Sequence, residues 1–183
     1  MEKVIITVLG CDRPGIVAAV SKALFDHQCN IEDVSQTILQ TEFAGIFIAS
    51  MPAEMKPAEL LAGLEKRLQP EALSVFLKEM QSREAAHPIE SEPFVITTMG
   101  PDRPGLVAGI TGLLSEFRIN ITNLQAAFRG GDDPRRNVMI YEVDIPVEID
   151  QSEFRAALYA RARELRLDAS LQHRDIFEQI HRV

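Results

Sequence analysis

The chain has 183 residues, 46% of them hydrophobic, and a formal net charge of −8, which is ample apolar content for a core and length enough for one domain or two small ones. Residues 1–86 and 87–183 share the acidic excess, so neither half offers the basic footprint that neutralises nucleic-acid phosphates, and direct nucleic-acid binding is disfavoured. The two cysteines, Cys11 and Cys29, lack Cys-x-x-Cys spacing and a nearby histidine pair, which argues against a metal site or redox couple, while the absence of a long apolar stretch predicts a cytoplasmic chain without a membrane span.

Val4 to Leu9 is a short apolar run suited to a central strand. Ile16, Val17, Val20 and Leu24 then fall at helical spacing, with Pro14 tolerated in a first turn and Asp12 placed to cap its free N–H groups. Ile31 to Leu39 and Phe43 to Met51 read as two strands joined by a polar turn at 40–42. Pro57 opens a second helix with Leu60, Leu61, Leu64 and Leu68 in one stripe, and Leu73 to Leu77 closes the unit as a last strand. The order is βαββαβ.

Residues 81–92 are polar, without helix or strand periodicity, and read as a linker. The same order then returns: a strand at Phe94 to Met99, a helix from about Pro104 to Phe117, and strands at Ile121 to Phe128 and Asn137 to Ile145. Asp150, with Glu153 three residues on, caps a second helix carrying Phe154, Ala157, Leu158 and Leu165 inward, and Asp168 to Gln172 is the final strand. Met139, Tyr141, Val143 and Ile145 alternate with Glu142 and Asp144, the pattern of a strand with one wet face. Arg129 to Arg136 reads as a mobile hairpin loop, and residues 174–183 as a tail that adds a turn of helix or crosses to a partner.

The two units are copies. Gly10-Cys11-Asp12-Arg13-Pro14-Gly15 returns as Gly100-Pro101-Asp102-Arg103-Pro104-Gly105, and Asn30-Ile31 returns as Asn120-Ile121, all at an offset of 90. In each copy the glycines permit a tight strand-to-helix path, the aspartate can order the turn, and the helix start presents N–H groups suited to a carboxylate. By residue chemistry alone the turn reads first as a structural cap, second as a small-ligand site and last as a catalytic one. Asn30 and Asn120 are first helix-stop or turn residues, and second amides that approach a ligand at the same sheet end as the turns. No phosphate-binding glycine loop of either common type occurs, which disfavours ATP and NAD.

The doubled Gly-x-Asp-Arg-Pro-Gly and the doubled Asn-Ile make the whole chain resemble a tandem pair of ACT domains, and within them the glycine cleavage system transcriptional repressor group. The resemblance implies an α+β fold: two ferredoxin-like βαββαβ modules at 1–80 and 93–173, each an antiparallel sheet covered on one face by two helices, with a linker at 81–92 and a tail at 174–183. It implies a ligand-binding set of Gly10, Cys11, Asp12, Arg13, Pro14, Gly15 and Asn30, with Gly100, Asp102, Arg103, Pro104, Gly105 and Asn120, at module interfaces. It also implies glycine or a similar small amino acid as ligand, a regulatory protein partner, and no DNA-binding domain. A homodimer is expected.

No serine or cysteine stands in a nucleophile context, and His27, His87, His173 and His181 are scattered, so no catalysis and no cofactor are expected. Cys11 beside a helix start is read as an incidental thiol, and Asp132-Asp133 as a solvated pair rather than a cation site. The competing reading is a ligand-independent dimerisation or adaptor module, suggested by exposed sheet edges.

Overall fold

The computed structural model describes residues 2–80, 89–126 and 137–181, and the chain divides into two compact units, residues 1–84 and 85–183. In the first, strand β1 (Glu2–Cys11) leads to helix α1 (Ile16–Asp26), then β2 (Asn30–Leu39), β3 (Glu42–Met51), α2 (Pro57–Leu68) and β4 (Ser74–Glu79). The second repeats it with β5 (Ser91–Gly100), α3 (Leu106–Glu116), β6 (Asn120–Ala126), β7 (Asn137–Pro146), α4 (Gln151–Glu164) and β8 (Asp168–His173), and adds α5 (Arg174–His181).

Each unit holds a four-stranded antiparallel sheet, ordered β2-β3-β1-β4 and β6-β7-β5-β8. The period of two explains which side is dry: Val4, Ile6 and Val8 of β1 and Phe43, Phe47, Ala49 and Met51 of β3 are buried, and the residues between them face outward. Leu60, Leu64 and Leu68 recur at helical spacing on α2 and reach 0% exposure against that layer, each contributing roughly 2 kcal/mol by burial. Ile96, Tyr141, Val143, Ile110, Leu114, Phe154 and Leu158 build the equivalent core of the second unit.

The expected βαββαβ order is present in both units, and several local expectations change. Ser91 and Glu92, assigned to the linker, already belong to β5, where they pair with Pro146 and Ile145. The hairpin segment 129–136, with Asp132 and Asp133, lies outside the described residues. Asp150 caps α4 as expected, accepting from the Ser152 and Glu153 N–H groups at 2.8 and 3.2 Å.

Asp12 does not cap α1. That helix begins on Gly15 at φ 95°, and α3 begins on Gly105 at φ 92°, neither with a side-chain cap. Asp12 lies three residues upstream of the capping position, too early to reach the first-turn N–H groups. Its own N–H instead donates to the Thr41 carbonyl at 2.7 Å, tying the turn to the β2–β3 hairpin.

Candidate functional site

The two Asp-Arg-Pro-Gly turns sit at matching places, between β1 and α1 and between β5 and α3. Cys11 to Gly15 and Pro101 to Gly105 are all exposed. A left-handed start requires glycine there, and a Cβ on Gly15 or Gly105 would meet nothing within 4 Å. The uncapped first turns of α1 and α3 therefore present backbone donors and the positive end of the helix dipole beside an exposed aspartate.

The other motif residues are engaged with their own unit. The Arg13 guanidinium donates to the Glu71 carbonyl at 2.9 Å and to its carboxylate at 2.6 Å. Arg103 donates to the Leu165 carbonyl at 2.8 Å. Each arginine ties its turn to the end of the second helix, a region that sequence separations of 58 and 62 residues hide from inspection. Gly10 is a packing glycine: a Cβ there would lie 2.7 Å from Leu73 Cδ2 and 3.0 Å from the Ala72 carbonyl. Gly100 stands in the same relation to Leu167 and Arg166. Asp102 accepts from the Asn137 side-chain amide at 3.0 Å, a partner not anticipated from sequence.

Asn30 and Asn120 are not brought to the turns. In the first sheet β3 lies between β1 and β2, so β1 and β2 run parallel and their starts lie together. Asn30 pairs with Ser50, which pairs with Lys3, whereas Gly10 pairs with Phe43 at the other end. Seven residues of strand separate those rows, about 23 Å. Asn120 lies in the row of Asp144 and Pro93, equally far from Gly100. The helix stops are Gln28 at φ 57° and Arg118 at φ 54°, not the asparagines. Asn30 instead borders a shallow hollow of about 510 Å³ with Phe25, Asp26, Gln28 and Cys29.

Cys11 is exposed and Cys29 buried, both as free thiols, and burial pushes the Cys29 thiol up from its ordinary value. Among the described residues no group of three or more histidine, cysteine, aspartate or glutamate side chains gathers to hold a metal, and no helix is long and apolar enough to cross a membrane.

Two βαββαβ sheets with paired glycine-started helices define a tandem α+β protein of duplicated modules. The ACT domain model matches residues 2–78 and again 92–172, and the chain belongs to the ACT domain family. A UPF0237 protein from Methanopyrus kandleri is 35% identical over 88 residues, covering 48% of this chain and 98% of its own. Another from Corynebacterium glutamicum is 44% identical over 79 residues, covering 38% and 89%. Among solved structures, an unknown protein from Galdieria sulphuraria superposes with a TM-score of 0.73 at 24% identity, over 94% of this chain and 98% of that one. A structure provisionally named a glycine cleavage system transcriptional repressor gives 0.69 at 19% identity, over 93% and 96%. These two likenesses are likenesses of fold.

Proposed function

We propose that this chain is a non-catalytic regulatory protein of the cytoplasm that senses glycine or a similar small amino acid and modulates transcription through a protein partner. One observation carries the reading: α1 and α3 both start on a left-handed glycine with no side-chain capping hydrogen bond, a few residues after an exposed Asp12 or Asp102. A zwitterion fits that pairing, its carboxylate at the helix start and its ammonium toward the aspartate. Membership in the ACT family and the fold shared with a provisionally named repressor support the regulatory part. The net charge of −8 favours a protein partner over direct nucleic-acid contact.

In this reading Asp12, Gly15, Asp102 and Gly105 carry the ligand contacts, with Cys11 and Pro14, and Pro104 in the second turn, shaping the rim. Arg13, Arg103, Gly10 and Gly100 hold the turns in place. Asn30 and Asn120 are too far from the turns for a ligand of amino-acid size to touch both from one module. Calorimetric titration with glycine, serine and alanine tests the proposal. Heat of binding in the native chain and its loss in the Asp12→Ala, Asp102→Ala double variant are expected, and flat heats for every amino acid with folded protein would reject the ligand.

The second reading is a dimerisation or adaptor module that needs no ligand. It is favoured by Leu9, Ile46 and Phe76, which are 41%, 49% and 59% exposed. A dimer mass and a partner capture that stay the same with and without glycine would select it.

A further inference from the structure

The sheets of the two units have equivalent outer faces and treat them differently. Val95 of β5 and Ile5 of β1 hold the same place, 90 residues apart, on the side away from the two covering helices. Val95 is 2% exposed, because α5 packs against β5 and β8. Arg174 at the start of α5 fixes it there, 3.7 Å from both the Glu142 and Asp144 carboxylates on that face. Among the described residues of its own unit, the first face has no such cover: around Ile5, the side chains of Leu9, Ile46 and Phe76 are exposed.

One row across that first face is self-complementary. The register aligns Asp33 with Ile48, Ile48 with Ile5, and Ile5 with Lys78, an acid, two isoleucines and a base from one edge to the other. The next outward row runs Ser35, Ile46, Thr7 and Phe76. Asp33 and Lys78 are separated by three strand spacings, about 14 Å, too far to pair with each other. Among the described residues neither enters an ion pair.

We infer that the outer face of the β2-β3-β1-β4 sheet docks on the same face of a second copy of this chain, about a two-fold axis parallel to the strands. That operation exchanges left and right edges at constant height. It lays Asp33 of each copy over Lys78 of the other, and Ile5 of each over Ile48 of the other. Sheets packed face to face cross at about 30°, an offset that the length of a lysine side chain spans. Four strands paired over about six residues present on the order of 400 Å² of flat area, and side-chain relief brings the accessible surface toward the roughly 800 Å² per partner of a stable dimer. The corresponding row of the second sheet reads Asn123, Glu142, Val95 and Gln172, has no base to oppose an acid, and is already covered. The inference rests on the dimerisation of the second reading and uses nothing of the ligand reading.

Charge reversal tests it on the full chain by sedimentation equilibrium at low salt. Asp33→Lys sets lysine against lysine twice in the dimer, and Lys78→Asp sets aspartate against aspartate twice. Each is expected to weaken dimerisation at least about tenfold, with circular dichroism unchanged because both positions are exposed. An equimolar mixture of the two variants restores both opposite-charge pairs, so native mass spectrometry should show the heterodimer dominating. Ile46→Glu, at the centre of the face, should give monomer by itself. A native chain that remains monomeric at tens of micromolar, single reversals that dimerise as tightly as the native chain, or a mixture without heterodimer would each overturn the inference. Calorimetry with glycine on the same variants reports on the ligand reading separately.

Discussion

Arg13 grips Glu71 by both its carbonyl and its carboxylate, and so joins the first turn to the short 3-10 turn Gln69–Glu71 that follows α2, across 58 residues. Both side chains remain more than a third exposed, which limits the ion pair by solvent screening. Arg13→Ala is expected to cost about 1 kcal/mol in the first unit. Glu71→Gln should cost less, because the carbonyl acceptor remains. Urea denaturation of the three proteins, compared with Arg103→Ala, measures the order.

The glycines of one motif should separate by mechanism. Gly15→Ala meets no atom but must hold φ 95°, a cost of about 1–2 kcal/mol. Gly15→Asn should recover part of it, since asparagine tolerates the left-handed region. Gly10→Ala and Gly10→Asn both collide with the Ala72–Leu73 backbone region, so there asparagine gives no recovery. Denaturation midpoints of the four variants decide this.

Tyr141 is fully buried, and among the described residues its hydroxyl makes no hydrogen bond of ordinary geometry, the Thr98 hydroxyl being the polar group near it. Phe47 occupies the matching place in the first unit, paired with Ile6 as Tyr141 is with Ile96. Tyr141→Phe is therefore expected to be neutral or to stabilise by up to about 1 kcal/mol, whereas Phe47→Tyr beside Val8 should destabilise by about 1–3 kcal/mol. Thermal melts of both variants are the check.

Two groups are expected to contribute to the pH dependence of stability in opposite senses. Lys3 holds the Glu32 carboxyl below its ordinary value of 4.5 by hydrogen bond and charge, with Ser50 assisting and desolvation opposing. The folded state thus binds fewer protons there, and this stabilisation is present above 4.5 and is lost as pH falls through the folded value. Burial raises the Tyr141 phenol above 10, so its contribution is complete below 10 and is lost as pH rises through the folded value. Glu32→Gln should flatten the acid limb of a stability-against-pH curve and Tyr141→Phe the alkaline limb.

The thiols should behave unequally. Cys11 is exposed and Cys29 buried with its pKa raised by desolvation, so one thiol per chain is expected to react with a disulfide reagent in the native state and two in denaturant. Cys11→Ser should abolish the fast reaction, and two native thiols reacting at equal rates would contradict the burial of Cys29.

The layered fold was legible because alternation and helical stripes are local: Phe43 to Met51 and Leu60 to Leu68 announce their dry sides without help from the rest of the chain. The site was less legible because strand order in space differs from order in sequence. Asn30 follows soon after the Gly10 turn along the chain, yet α1 runs back along the sheet before β2 begins parallel to β1, and so carries Asn30 to the far end. Asp12 has the chemistry of a helix cap but stands three residues too early, since Gly15 takes that position. Arg13 gives no sign of its partner, because Glu71 comes from the end of another helix.

Helix α5 also sets an upper limit on assembly. A chain with both outer faces bare would be divalent, and molecules joined through alternating faces could grow into an open filament rather than stop at a closed pair. By laying α5 over the outer face of its own sheet, with Arg174 as the fastening, the second unit withdraws that face, and among the described residues the chain is monovalent in the contact inferred for the first.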